Sequence, residues 1–139
     1  RAAVAENEYD FSFSGLKSAV LNYLNGCQMK GESYNQADVA ASFQKAVVDV
    51  LVSHSLHAVK AYGLNKFAIA GGVASNSSLR AAFEEECGKR NIAFYHPSPI
   101  FCTDNAAMIG VAGYHNYMAG IRDGLDLNAI PNLKIGERR

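Results

Sequence analysis

Net charge is what this 139-residue chain lacks first: 13 Lys and Arg are matched by 13 Asp and Glu. Any hold on a polyanion such as a nucleic acid must therefore come from a local patch or a partner, because neutralising phosphates takes clustered cations. Cysteine is sparse. Cys27, Cys87 and Cys102 are odd in number and none are spaced as metal pairs, which argues against a disulfide framework and makes a reducing, cytoplasmic setting the expectation. No apolar run approaches the roughly 20 residues that span a bilayer, so no membrane partner is expected. No Gly-Lys-Ser/Thr follows the paired glycines, which excludes a Walker phosphate loop. No His-Glu-x-x-His is present, which leaves a zinc peptidase unsupported.

What is there is an ordinary globular composition, 49% hydrophobic and 19% charged, long enough for one core. Residues 1–12 read as a lead-in, 13–120 as an α/β core and 121–139 as a tail with little periodicity. The spacing of Leu16, Ala19, Val20, Tyr23 and Leu24 predicts a helix from Ser14 to about Asn25, with Gly26 as its stop and 27–34 as a loop. Asn35 is placed to cap a long helix from Gln36, with Val39, Phe43, Val47, Val50, Leu51 and Ala58 as its apolar stripe and Gly63 as its end. Lys66–Ala70 reads as a buried strand and Gly71-Gly72 as a tight turn. A helix is expected from Ser75 to Lys89 with Leu79, Ala82 and Phe83 inward. Ile92–Tyr95 reads as a second strand, residues 96–102 as an extended loop held by Pro97 and Pro99, and Thr103–Met118 as a last helix ended by Gly120. Helices alternating with strands predict a layered α/β class. Two clear strands are few for a whole α/β sheet, and the first residue is Arg1 rather than Met; both are expected of a portion of a longer chain.

Three segments carry candidate chemistry. Glycines after a strand let a backbone approach a ligand, and the helix start beyond them favours anionic groups. Asn76, at that helix start, offers donors and acceptors suited to a ribose hydroxyl or a base edge, or simply caps the helix. Asp104, in Thr103-Asp104-Asn105, lies at the start of the last helix, with Thr103 as a candidate cap. Its carboxylate reads either as a hard ligand for a cation or as a charge that favours the helix N-terminus. If the two strands are parallel neighbours, Asn76 and Asp104 open on one sheet edge and face one ligand. In Asp10–Lys17, Phe11 and Phe13 read as a staple and Ser12 or Ser14 as a cap; a serine nucleophile has no histidine nearby. His54 and His57, three apart, read as partly buried helix residues rather than a metal pair, and His96 and His115 have no partner in view.

Phe11-Ser12-Phe13-Ser14-Gly15-Leu16-Lys17, Ala70-Gly71-Gly72-Val73-Ala74-Ser75-Asn76-Ser77-Ser78-Leu79-Arg80 and Cys102-Thr103-Asp104-Asn105-Ala106-Ala107-Met108-Ile109, in this order and spacing, resemble the bacterial TsaD family of tRNA adenosine threonylcarbamoyltransferases, once labelled glycoproteases. The resemblance runs from about Tyr9 to the tail. It implies an actin-like, sugar-kinase and heat-shock ATPase (ASKHA) fold, of which this chain is a carboxy-terminal lobe fragment with helices packed on a small sheet. It further implies transfer of a threonylcarbamoyl group from threonylcarbamoyl-adenylate to the adenosine next to the anticodon of tRNA. By the same resemblance Asn76 contacts the substrate nucleotide, Gly71 and Gly72 lie beside its adenosine, and Asp104 is a ligand of one divalent metal, iron or zinc. A TsaB-like paralogous subunit and a TsaE-like ATPase are the implied partners, with tRNA.

The family's His-x-x-x-His metal motif and its phosphate loops have no match here, and His54 and His57 have the wrong spacing. The chain is thus expected to be the carboxy-terminal portion of such a protein and inactive alone. Two other readings stand beside this one: a non-catalytic ASKHA-type binding lobe, and a related actin-like ATPase or sugar kinase.

Overall fold

The computed structural model describes residues 9–133, so most of the 1–12 lead-in and the end of the 121–139 tail lie outside the described residues. The chain divides into two compact units, one running to Thr103 and the other starting at Asp104.

The first unit contains helices α1 (Ser14–Lys30), α2 (Gln36–Ala61) and α3 (Ser77–Lys89) and strands β1 (Lys66–Ala68) and β2 (Ala93–Tyr95). The two strands pair in parallel, with Phe67 opposite Phe94, and α3 forms the crossover between them. The class is α/β, with a two-stranded parallel sheet among the described residues.

The core lies where α2 meets α3 over one face of the sheet. Val52 and Leu56 of α2 pack with Leu79, Phe83 and Cys87 of α3, and Val48, Leu51, Phe67, Ile69, Ile92 and Phe94 close around them. Leu79, Phe83 and Cys87 stand four residues apart, so they share one side of α3. The Phe83 ring, 2% exposed, lies 4.9 Å from Phe67 and 5.5 Å from Phe94. Apolar burial of this kind is the main favourable term in folding.

The expected stripe on α2 is corrected in part: Leu51 packs against the core as expected, and Val39, Val47, Val50 and Ala58 are half-buried. Phe43 is 41% exposed, and the buried line is Val52, Leu56 and Val59. The expected buried strand is half-buried instead: Phe67 and Ile69 are partly covered while Lys66, Ala68 and Ala70 are exposed. A strand covered on one face alternates, whereas one covered on both does not.

Helix boundaries follow local chemistry. The Asn35 side chain accepts from the Ala37 N–H at 2.9 Å and caps α2, as its position predicts. Gly26 does not stop α1. The helix runs on to bury Cys27 and ends before Gly31 (φ 67°), where the Gly31 and Glu32 amides donate to the Gln28 and Cys27 carbonyls. A glycine inside a helix costs only about 1 kcal/mol relative to alanine. Gly63 and Asn91 have positive φ just past α2 and α3, and the amide that follows each reaches back to the last turn. Neither Ser12 nor Ser14 caps α1, whose preceding residue is Phe13. Pro97 and Pro99 do not hold an extended loop throughout. Pro99–Phe101 forms a 3-10 turn, since proline's fixed φ suits the first position of a helical turn. Cys102 is buried behind it, its thiol against the Pro97 and Ser98 carbonyls.

The second unit contains α4 (Ala106–Met118). It begins three residues later than expected, because Asn105 rather than Thr103 supplies the cap, its side chain accepting from the Met108 N–H at 2.9 Å. Gly120 (φ 76°) ends it as expected, and the Arg122 guanidinium stacks 3.8 Å over the Tyr117 ring while donating to the Tyr117 carbonyl. No described helix is long and apolar enough to cross a membrane.

Two measurements check the core. Phe83→Ala is expected to lower the unfolding free energy by about 3–5 kcal/mol in urea titration, the range for emptying a large aromatic site. Burial pushes the Cys87 thiol above its ordinary pKa. A folded value above the unfolded one means that this contribution is complete below the ordinary thiol range and is lost as pH rises through it. Stability is therefore expected to fall from pH 8 to 10, and a Cys87→Ser variant to fall less over that interval.

Candidate functional site

The turn after β1 is built by its glycines. Gly71 has φ 87° and ψ 174°, a conformation that side chains disfavour, and the Ala74 amide donates to its carbonyl at 3.0 Å. Gly72–Ser75 then makes one 3-10 turn, closed by the Ser75 hydroxyl donating to the Gly72 carbonyl at 2.6 Å. Ala74 is buried beneath the turn, and Val73 above it is 63% exposed. A Cβ built on Gly71 or on Gly72 would meet no protein atom within 4 Å. Positive φ accounts for glycine at 71. Packing does not account for glycine at 72.

The turn delivers the chain to Asn76, whose backbone is extended (φ −66°, ψ 119°) and whose side chain caps α3. Asn76 Oδ1 accepts from the Leu79 N–H at 2.9 Å, and Nδ2 donates to Gln44 Oε1 on α2 at 3.0 Å. Gln44 Nε2 in turn donates to Ser78 Oγ at 3.1 Å. Gln44, Val47, Leu51, Val73, Asn76 and Leu79 are among the residues lining a groove of about 290 Å³ here. The sequence reading placed Gly71, Gly72 and Asn76 correctly on one strand–turn–helix junction. It missed Gln44, which lies on α2, 32 residues away, and carries no local signal.

Asp104 is exposed and stands two residues before α4, one step outside the cap rather than in the first turn. The N-terminal partial charge of the helix falls off beyond its first turn, so the helix-stabilising reading of this carboxylate weakens. Gly71, Gly72 and Asn76 belong to the first unit and Asp104 opens the second.

Among the described residues no three His, Cys, Asp or Glu side chains come together to hold a metal ion. The donor set of the described residues therefore does not fit a metal centre by itself. His54 and His57 serve other contacts: His54 lies against Phe11 (5.8 Å) and His57 against Tyr9 (5.7 Å), which lays residues 9–13 along α2. His54 is half-buried as expected and His57 is exposed. His96, which has no partner in view from the sequence, faces Glu84 at 3.3 Å.

A model of the TsaD family, described as tRNA N6-adenosine threonylcarbamoyltransferase, matches residues 1–111. Proteins of that same name are similar to this chain over nearly all of its length. One from Clostridium botulinum is 59% identical over 138 residues, covering 99% of this chain and 41% of the relative. One from Clostridium kluyveri is 62% identical over 129 residues, covering 93% and 38%. One from Clostridium beijerinckii is 56% identical over 138 residues, covering 99% and 41%. The chain thus spans about two-fifths of the length of the curated relatives it matches.

The cap and the amide's outward face are separable by substitution. Asn76→Ala is expected to cost about 1 kcal/mol of stability, the usual loss on removing a helix cap. Asn76→Asp keeps the oxygen that caps Leu79 and is expected to melt close to the parent in circular dichroism.

Proposed function

Because the chain belongs to the tRNA N6-adenosine threonylcarbamoyltransferase family, we propose that it is the carboxy-terminal portion of such an enzyme, one that moves a threonylcarbamoyl group from threonylcarbamoyl-adenylate to the adenosine next to the anticodon. The observation that carries this reading is the bare surface over Gly71-Gly72 beside the Asn76 amide. A glycine that packing does not require leaves its backbone open to close approach by a ligand, here at the carboxyl end of a parallel strand, where open α/β sheets take their ligands. The adenosine moiety rests on the glycine pair. Asn76, with one N–H and one oxygen lone pair not engaged by Leu79 and Gln44, holds a ribose hydroxyl or a base edge.

The β1–α3–β2 unit is part of an ASKHA-type lobe, completed by a portion of the protein not included in this chain. Asp104 contributes one oxygen ligand to a divalent cation, iron or zinc, and the remaining ligands come from that other portion. A divalent ion at such a site supplies Lewis acidity and orientation. This chain's own part is to position the nucleotide. By the family resemblance, tRNA is the second substrate, and a TsaB-like subunit and a TsaE-like ATPase are the partner proteins. The setting is the cytoplasm.

In the full-length enzyme, Asp104→Ala is expected to lower bound metal and to slow transfer by at least about 10- to 100-fold, since even supporting residues around a metal contribute that much. The melting temperature is expected to stay unchanged, because Asp104 is exposed and outside the helix cap. Unchanged turnover together with unchanged metal content overturns the assignment.

A further inference from the structure

The amide of Asn76 is held at two points by partners from different parts of the fold. Its oxygen accepts from the Leu79 N–H within α3, and its nitrogen donates to Gln44 Oε1, which α2 brings in from 32 residues away. The cap alone leaves the amide plane free to swing about the capped oxygen. The second bond, at 3.0 Å, removes that freedom. Gln44 is held at both ends, its nitrogen donating to Ser78 Oγ at 3.1 Å, and the Leu79 cap sets the polarity: with the Asn76 oxygen taken by the Leu79 N–H, the Asn76 nitrogen is the donor that Gln44 Oε1 accepts. The polarity of the chain is consistent throughout: Leu79 N–H to Asn76 oxygen, Asn76 nitrogen to Gln44 oxygen, Gln44 nitrogen to Ser78 oxygen. An amide has two N–H donors and two oxygen lone pairs, so one of each remains on Asn76, in one fixed plane at the edge of the groove lined by Val73 and Leu79.

We infer that Gln44 is a positioning residue for substrate binding: by fixing the Asn76 amide it sets which edge of that side chain, donor and acceptor together, meets the nucleotide. This rests on the nucleotide-binding reading of Asn76 given above. Gln44 touches no reacting atom and acts through Asn76. A binding group held in advance spares the ordering cost that a loose one incurs on association. Loss of Gln44 therefore weakens binding and leaves the chemical step alone.

The test uses the full-length enzyme with two readouts: calorimetric affinity for adenosine monophosphate as a non-reacting probe, and steady-state transfer with threonylcarbamoyl-adenylate. Gln44→Met, similar in length but without hydrogen-bonding groups, is expected to weaken probe binding and raise KM by about 3- to 10-fold, the range for one hydrogen bond, with kcat within about twofold. Gln44→Glu is the conservative variant. Its carboxylate still accepts from Asn76, and the Ser78 hydroxyl turns to donate to it, so affinity is expected to return to within about twofold of the parent. On an Asn76→Ala background, Gln44→Met is expected to add nothing, since residues acting through one another are not additive. Unchanged affinity in Gln44→Met while Asn76→Ala weakens binding overturns this inference and leaves the nucleotide reading standing. Unchanged affinity in Asn76→Ala overturns both. A fall in kcat or melting temperature with no change in affinity assigns Gln44 to stability and overturns the inference as well.

Discussion

The packing of Phe83 against Phe67 and Phe94 is the contact on which the first unit depends. There α3 meets both strands, and Val52 and Leu56 of α2 belong to the same core. Two three-residue strands make few ladder bonds, and a parallel pair this short has little independent stability. The helices therefore hold the strands rather than the reverse. With α3 anchored along Leu79, Phe83 and Cys87, its first residue stands at a defined height above the sheet, and the segment from β1 must turn sharply to reach it. Gly71 supplies the turn.

Fold and candidate site share that junction. Asn76 follows the bare glycine turn and caps α3, so the residue proposed to meet the nucleotide is also the one that starts the helix. One oxygen lone pair caps the helix and one N–H reaches Gln44; the remaining N–H and lone pair are used by neither bond. This division explains why a capping reading and a nucleotide-binding reading of Asn76 do not compete. An amide has four hydrogen-bonding positions, and the fold uses two of them.

Much of this was legible along the chain. Asn35 and Asn76 announce helix starts by side-chain chemistry, and Gly63 and Gly120 announce helix ends by their freedom to take positive φ. The strand–Gly–Gly–helix unit was placed because each of its signals is local. The errors have local causes too. Gly26 reads as a stop but lies inside a helix, since burying Cys27 outweighs the modest cost of an internal glycine. Thr103 reads as a cap, but Asn105 takes that role, and Asx side chains are at least as good at it as threonine. The stripe on α2 is only partly in the core because Val39 and Phe43 line an open groove beside α1 instead, and periodicity does not say which side a neighbour takes.

By itself, then, the amino-acid order determined the α/β class, most helix termini, the glycine turn and the family, because each rests on short-range chemistry or on motifs in a set order. The tertiary structure decided what depends on contacts between distant residues: the parallel pairing of Phe67 with Phe94, the closing of α2 on Phe83, and the reach of Gln44 across 32 positions to the Asn76 amide. A hydrogen bond between two exposed-looking side chains leaves no trace in composition or period. It exists only once two helices have been packed at a fixed distance.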